Sequence, residues 1–257
     1  MAAEQERFGD LTGRTALITG ASEGIGRGLA LGLARAGADV IACSRRLPLL
    51  ESVCDEIRAM GRRAEPCVLD VADLESIAAA KVFCEERFEK VDILVNNAGA
   101  SVNREAWSVS EADWDRVFAV GLKGLFFCSQ AIGSIMRRAG YGKIINLSST
   151  VSRCVVPGGS VYATVKAGVS HLTRALAVEW AKDGIRVNAL APTTTPTPSR
   201  IPNQTPERVR ALVARIPLGR QGTVDDLVPA AVFLAGRDSD FMTGQTIFVD
   251  GGWTAPG

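Results

Sequence analysis

The chain has 257 residues, of which 47% are hydrophobic and 22% charged, with 29 basic and 28 acidic side chains. These are ordinary globular proportions, and a chain this long can bury a core without disulfides or metals. A net charge of +1 leaves no basic footprint for nucleic acid and little attraction to an anionic membrane. Residues 1–10 are polar and acidic and read as an N-terminal extension, not as a signal peptide.

The predicted elements alternate strand and helix. Arg14 to Thr19 is a short apolar strand closed by Gly20, followed by an amphipathic helix from Gly24 to Ala36. Val40 to Cys43 is a second strand, with a helix from Leu47 to Met60 behind it. Ala64 to Leu69 is a third strand, followed by a helix from Leu74 to Phe88, and Ile93 to Val95 a fourth strand. Two helical stretches, Ser110 to Val120 and Leu122 to Ala139, lead to a fifth strand at Lys143 to Leu147. Their apolar span from Val117 to Met136 is broken by Lys123 and several glycines, so it reads as a buried or interface helix rather than a membrane span. Val161 to Lys182 is a long helix, Arg186 to Ala189 a sixth strand, Thr223 to Ala235 a helix and Thr246 to Val249 a last strand.

Continuous apolar strands belong in a parallel sheet covered on both faces, and regular βα alternation with glycine-marked turns argues a doubly wound arrangement. The expected fold is therefore α/β: a single Rossmann domain over 1–257, with about seven parallel strands and helices on both faces. The irregular segment is Thr193 to Pro206, which holds four prolines. A Pro-rich loop after a strand's carboxyl end is expected to be a substrate lid, taken as 193–215, with a plain surface loop as the alternative.

The six cysteines (Cys43, Cys54, Cys67, Cys84, Cys128 and Cys154) form no C-x-x-C pair and no cluster with the single histidine. They read as reduced, structural thiols, which fits a cytoplasmic protein without a metal site. Cys154 differs in falling in a loop near the proposed site.

Thr19-Gly20-Ala21-Ser22-Glu23-Gly24-Ile25-Gly26 joins the first strand to the first helix. Glycines there permit a tight turn and close approach of a pyrophosphate, while the helix N-terminus offers free N–H groups. The spacing is G-x-x-x-G-x-G rather than the commoner G-x-G-x-x-G, and its place in a first βαβ unit supports a dinucleotide. At the end of the second strand, where an acid commonly holds the ribose 2′-hydroxyl, the sequence reads Ser44-Arg45-Arg46. Arg45 would attract a 2′-phosphate, whereas Glu23 would repel one, so NADP(H) is favoured and NAD(H) kept as the alternative.

Together with Asp70-Val71, Asn96-Asn97-Ala98-Gly99, Ser149, Tyr162-x-x-x-Lys166, Thr243-Gly244-Gln245 and Val249-Asp250-Gly251-Gly252, this loop resembles the short-chain dehydrogenase/reductase family over nearly the whole chain. The likeness is to members near this length, such as oxoacyl-carrier-protein, gluconate and xylulose reductases. It implies that Gly20, Ser22, Glu23, Gly24, Ile25 and Gly26 cradle the cofactor and that Asp70 and Val71 bracket its adenine. Asn97, Ala98 and Gly99 would line the channel, and Pro192, Thr193, Thr195 and Thr197 would meet the nicotinamide half. The family usually has Pro-Gly where this chain has Pro192-Thr193, a pair also found in some sugar and carbonyl reductases. A second departure is Gly121, where many members carry an Asn thought to shape a water-linked proton path to the lysine.

Tyr162 and Lys166 lie four apart on one helix face. An ammonium beside a phenol favours the phenolate, so Tyr162 would give a proton to a ketone oxygen or take one from an alcohol. Lys166, as the resemblance implies, would also bind the nicotinamide ribose. Ser149, just past the fifth strand, would orient the substrate oxygen. His171, nine positions beyond Tyr162, reads as a packing residue.

The expected activity is interconversion of a ketone and a secondary alcohol by hydride transfer, on a sugar, polyol or small keto compound. Val151 and Arg153, with Thr150, Cys154, Val155 and Gly158, are expected beside the substrate. The alternatives are a nucleotide-binding regulatory or scaffold protein without turnover, favoured only by Gly121, and a nucleotide-sugar epimerase of related fold. Partners are the small carbonyl or alcohol substrate and further copies of the chain, as a homotetramer or homodimer through helices around Phe126-Phe127 and Leu172 to Trp180 or the segment Phe248 to Trp253.

Overall fold

A computed structural model describes residues 8–198, 201 and 205–255. Most of the N-terminal extension, and positions 199–200 and 202–204 of the lid segment, lie outside those residues.

Seven strands form one parallel sheet in the order β3-β2-β1-β4-β5-β6-β7. They are β1 (Thr15–Thr19), β2 (Asp39–Ser44), β3 (Ala64–Val68), β4 (Ile93–Asn96), β5 (Gly142–Leu147), β6 (Ile185–Pro192) and β7 (Thr246–Val249). Successive residues of a strand point to opposite faces. Ala16 and Ile18 of β1 enter one core cluster and Leu17 the other; Val40 and Ala42 of β2 likewise oppose Ile41 and Cys43. Both faces are buried at these inner strands, which is why they read as apolar runs, while the edge strands β3 and β7 are only partly buried.

Helices α1 (Gly24–Arg35), α2 (Leu47–Ala59) and α8 (Val224–Ala235) cover one face. The other is covered by α3 (Leu74–Arg87), α5 (Gly124–Ala139) and α6 (Ser160–Trp180), with α4 (Glu111–Phe118) packed against α6. The α1–α8 contact depends on small residues one turn apart: a β-carbon on Gly28 would lie 2.0 Å from Val224 Cγ1, and one on Gly32 2.5 Å from Val228 Cγ1.

Two features differ from the sequence expectation. Helices α4 and α5 are joined without a break by a π turn, Ala119–Lys123, where Gly121 within it and Gly124 directly after it admit close neighbours. A β-carbon on Gly124 would lie 2.2 Å from the Val71 carbonyl oxygen. The run Glu111–Ala139 is long and apolar enough to cross a membrane by length and composition. Leu125, Cys128, Ile132, Ile135 and Met136 of that run are nevertheless packed in the core, which accounts for its apolar character. The second feature is an extra helix in the lid segment, α7 (Pro206–Val213), capped by the Thr205 hydroxyl accepting from the Arg208 N–H.

The strand order reverses between β1 and β4. The chain builds outward from β1 to β3, then returns beside β1 and builds the other way. Loops leaving the carboxyl ends of β1 and β4 therefore diverge and open a crevice, the place where such sheets bind ligands.

Candidate active site

The cradle is built where β1 ends. Thr19 Oγ1 accepts from the backbone N–H groups of Asn97 and Ala98, each at 3.0 Å. Asn97 Nδ2 donates back to the carbonyls of Thr19 (2.9 Å) and Gly20 (3.2 Å). Asn97 thus fastens the β4 loop to the cradle, with Ala98 close against Gly20 and Gly99 exposed beyond it. Gly20 and Gly24 hold left-handed backbone, with φ of +68° and +58°. Gly26 is required by approach, since a β-carbon there would lie 2.2 Å from the Gly20 carbonyl oxygen. Helix α1 starts at Gly24 with no side-chain cap from Glu23 and no acid in its first turn. Its first N–H groups are left to an outside acceptor.

The two arginines after β2 divide the rim. Arg46 Nη2 donates to Ser22 Oγ at 3.0 Å and lies 2.9 Å from the Glu23 carboxylate. Ser44 Oγ accepts from the Arg46 N–H at 3.2 Å. Arg45 turns away, 3.7 Å from Asp70, whose backbone N–H is held by Ser76 Oγ. Of the pair named from the sequence, it is Arg46 that meets the phosphate loop, while Arg45 faces the Asp70-Val71 corner. Ile25 packs from α1 against the core.

The chemical centre lies at the end of β5. Lys166 is buried and its ammonium donates to the Leu147 carbonyl, the last residue of the strand. The same nitrogen lies 5.7 Å from the Tyr162 ring centre. Ser148 fixes the helix from the other side: its hydroxyl bonds the Lys166 carbonyl (3.2 Å) and the Ser170 hydroxyl (2.7 Å). Ser149 Oγ accepts from the Val151 N–H at 3.4 Å and donates to the Pro192 carbonyl at 3.5 Å. A 3₁₀ turn, Thr150–Ser152, follows, leaving Arg153 exposed and Val151 and Tyr162 half-buried.

Pro192 ends β6 and leads into Thr193, Thr195 and Thr197, all buried. A β-carbon on Gly24 would meet Thr197 Cγ2 at 3.1 Å, so the stretch after β6 packs against the cradle. Gln221 and Gly222 hold its far side through Thr194.

Position 121 differs from the family pattern for a visible reason. Gly121 is buried in the π turn, and a β-carbon there would lie 2.7 Å from Val165 Cγ1. Val165 sits directly before Lys166, and its side chain fills the volume that an Asn would take.

Sequence reasoning missed a buried polar chain behind the site. Asn96 Nδ2 donates to Ser129 Oγ and Asn146 Oδ1, each at 2.9 Å, and Asn146 Nδ2 donates to Thr173 Oγ1 at 3.0 Å. It ties β4 and β5 to α5 and α6, and its one advance signal was polar residues at the ends of apolar strands. All six thiols are free; burial pushes Cys54 up to about 11 and Cys84 and Cys128 up to about 12, while a hydrogen bond with Cys43 draws Cys67 down. Among the described residues no group of three or more His, Cys, Asp or Glu is placed to hold a metal ion.

A doubly wound sheet with a glycine cradle at its switch point and a Ser–Tyr–Lys set beside it defines a dinucleotide-binding oxidoreductase architecture. Comparison with known proteins agrees. Residues 20–254 match the family model described as Enoyl-(Acyl carrier protein) reductase. The chain is 38% identical over 247 residues to gluconate 5-dehydrogenase of Gluconobacter oxydans, covering 95% of this chain and 96% of the relative. It is 42% identical over 249 residues to 2-dehydro-3-deoxy-D-gluconate 5-dehydrogenase of Bacillus subtilis, covering 95% of each. The crystal structure of a gluconate 5-dehydrogenase from Burkholderia cenocepacia with NADP and tartrate superposes with a TM-score of 0.94 at 39% identity, over 97% of this chain and 98% of that one. The chain belongs to the short-chain dehydrogenase/reductase family.

Proposed function

We propose that the chain is an NADP(H)-dependent dehydrogenase that interconverts a secondary alcohol and a ketone on a sugar acid of the gluconate type. The observation that carries this is the placement of Lys166, buried, fastened to the Leu147 carbonyl at the end of β5 and facing the Tyr162 ring, with Ser149 two residues past that strand end.

The residues present fit the cofactor. The cradle accepts no side chain at Gly26, the α1 N-terminus is uncapped, and Ser22 and Arg46 at its rim are donors that would hold a 2′-phosphate. When bound, NADP(H) supplies the hydride acceptor or donor. Tyr162 takes the hydroxyl proton of the alcohol, or returns one to the ketone oxygen. Lys166 stabilises the phenolate, and Ser149 orients the reacting oxygen. Arg153 is exposed four residues past Ser149 and makes no ion pair among the described residues, which suits it to a substrate carboxylate.

Supporting the substrate class are the names of the relatives and the NADP and tartrate of the superposed structure. Oxidation of gluconate-type acids, followed through the absorbance of the reduced nicotinamide, tests the reading. Tyr162→Phe is expected to lower kcat by on the order of 10²–10⁴-fold while NADPH still binds. Equal turnover by Tyr162→Phe would overturn the assignment, and NADPH binding without turnover on any alcohol would favour the non-catalytic alternative.

Self-association belongs to the same reading. An apolar groove of about 690 Å³ runs between α4, α5 and α6, lined by Phe118, Leu122, Phe126, Gly168 and Leu172. A second copy docking there would bury it, and sedimentation of the Phe126→Asp variant tests this. A cytoplasmic location rests on the six free thiols.

A further inference from the structure

The C-terminal turn reaches back over the site. Asp250, just past β7, accepts from the Gly252 N–H (2.9 Å), the Thr254 N–H (2.9 Å) and the Thr254 hydroxyl (2.7 Å). Gly251 and Gly252 are both left-handed, at φ +62° and +91°. The turn is pressed onto the stretch after α7: β-carbons on these glycines would lie 2.7 Å from Ile216 Cγ2 and 2.9 Å from Pro217 Cγ. The Leu218 N–H also donates to the Gly251 carbonyl at 3.1 Å.

The indole of Trp253 is carried by this turn. Its Nε1–H donates to Cys154 Sγ at 3.1 Å. The Cys154 thiol donates in turn to the Thr150 carbonyl at 3.2 Å, and its backbone N–H bonds the same oxygen at 3.0 Å. Thr150 adjoins Ser149, whose carbonyl is held by Ser152. On its other side the indole is covered by the Arg215 guanidinium, 4.2 Å from the ring centroid and two residues past the end of α7. One side chain therefore touches the loop that carries Ser149 and the segment that carries the lid helix.

We infer that Trp253 is a positioning residue that straps the Ser149 loop and the lid helix to one another from within the same chain. This rests on the reading of Ser149 as the group that orients substrate. The two contacts do separate work. The N–H to Cys154 holds the 149–154 loop in the conformation that presents Ser149, which is felt in the chemical step. The Arg215 stack holds the α7 segment against the C-terminal turn, which is felt in substrate capture.

The test separates them. Trp253→Phe keeps a ring for Arg215 but removes the donor; Cys154→Ala removes the acceptor and Cys154→Ser keeps one. Trp253→Phe and Cys154→Ala are expected to lower kcat about fivefold with little change in KM, Cys154→Ser to recover much of the loss seen in Cys154→Ala, and Arg215→Ala to raise KM about fivefold. A readout independent of turnover is the alkylation rate of Cys154, measured by mass spectrometry with the five buried thiols as an internal check on folding. Trp253→Ala should speed labelling of Cys154 about tenfold while those five stay protected. Wild-type kcat in both Trp253→Phe and Cys154→Ala, or an unchanged labelling rate in Trp253→Ala, overturns the inference. If the wild type oxidises no alcohol, the functional reading fails, and the labelling rates alone then decide whether the strap exists.

Discussion

The Arg46 guanidinium bridges two residues of the phosphate loop, Glu23 at 2.9 Å and Ser22 Oγ at 3.0 Å. Glu23 alone would repel a 2′-phosphate; paired with Arg46 its charge is offset at the rim. Arg46→Ala should therefore remove a donor and at the same time expose the Glu23 carboxylate. NADPH binding is expected to weaken by on the order of 10-fold or more, with NADH little affected. Glu23→Gln frees Arg46 for the phosphate and should tighten NADPH severalfold. Arg45→Ala, whose side chain is largely exposed and faces Asp70, should cost less than Arg46→Ala. Titration of both nucleotides by fluorescence checks the order, and equal effects of the two arginines would refute it.

Gly26 makes a sharper prediction, because the atom that blocks a side chain there is backbone. A β-carbon would sit 2.2 Å from the Gly20 carbonyl oxygen and 2.3 Å from Asn97 Nδ2. Neither can move without opening the turn between β1 and α1 or breaking the Asn97 tie. Gly26→Ala is expected to lose about 1–3 kcal/mol of stability. Nucleotide binding should fall beyond detection at concentrations that saturate the wild type. Thermal melting with and without NADPH reads both, and a retained ligand-induced rise in Tm would contradict the geometry.

The Gly121–Val165 pair predicts the reverse of a simple repair. If the chain merely lacked the family's Asn, Gly121→Asn would raise activity. Instead Val165 Cγ1 occupies the space, 2.7 Å from the position of the new β-carbon, and lies beside Lys166. Gly121→Asn should destabilise the protein by about 1–3 kcal/mol and lower kcat by displacing Lys166. Gly121→Asn with Val165→Ala should recover much of both. Melting temperatures and kcat for the two single variants and the double variant measure the coupling.

How much could be read in advance follows from the range of the forces involved. The central strands were legible because both faces of the sheet are buried there, while the edge strand β3, with Glu65, Pro66 and an exposed Val68, was placed by its position in the βα alternation. The cradle and the Ser149, Tyr162 and Lys166 set were legible as local spacings, and the fold brings the last two together on one turn of α6. Helix α7 was not legible, since its eight residues follow a Pro-rich stretch and bury no face of their own. The division of labour between Arg45 and Arg46 depends on which side chain turns toward Ser22, and the Asn96–Asn146–Thr173 chain joins residues up to 50 positions apart for each bond. Neither leaves a mark within a window of sequence. The same holds for Val165, whose size matters only because a π turn 44 positions earlier brings Gly121 against it.

A last prediction concerns the end of the sheet opposite the cradle. Lys143 enters β5 fully buried, 2.8 Å from the Asp240 carboxylate and 3.0 Å from Ser239 Oγ. Burial pushes the Lys143 ammonium below its ordinary range, against the pull of Asp240. Burial also works against ionisation of Asp240, but the hydrogen bond and charge of Lys143, with Arg186 behind, outweigh it and hold that carboxyl below its usual value of 3.8. A carboxyl lowered on folding stabilises the protein above its unfolded value, and that contribution fades as pH falls through the folded one. The loss should therefore begin near pH 4 and deepen below it. Asp240→Ala strands a buried ammonium and should cost about 2–3 kcal/mol near pH 7, less than for a closed pair because Asp240 is partly open to solvent. Lys143→Met removes the charge along with its need for a partner, so it should fall within about 1 kcal/mol of wild type. Urea unfolding of the three proteins across pH measures this. The gap between wild type and Asp240→Ala should narrow as pH falls below about 4, where the Asp240 carboxyl takes its proton first in the unfolded chain and only at lower pH in the folded one, while a gap constant with pH would show that the pair contributes through packing and not through charge.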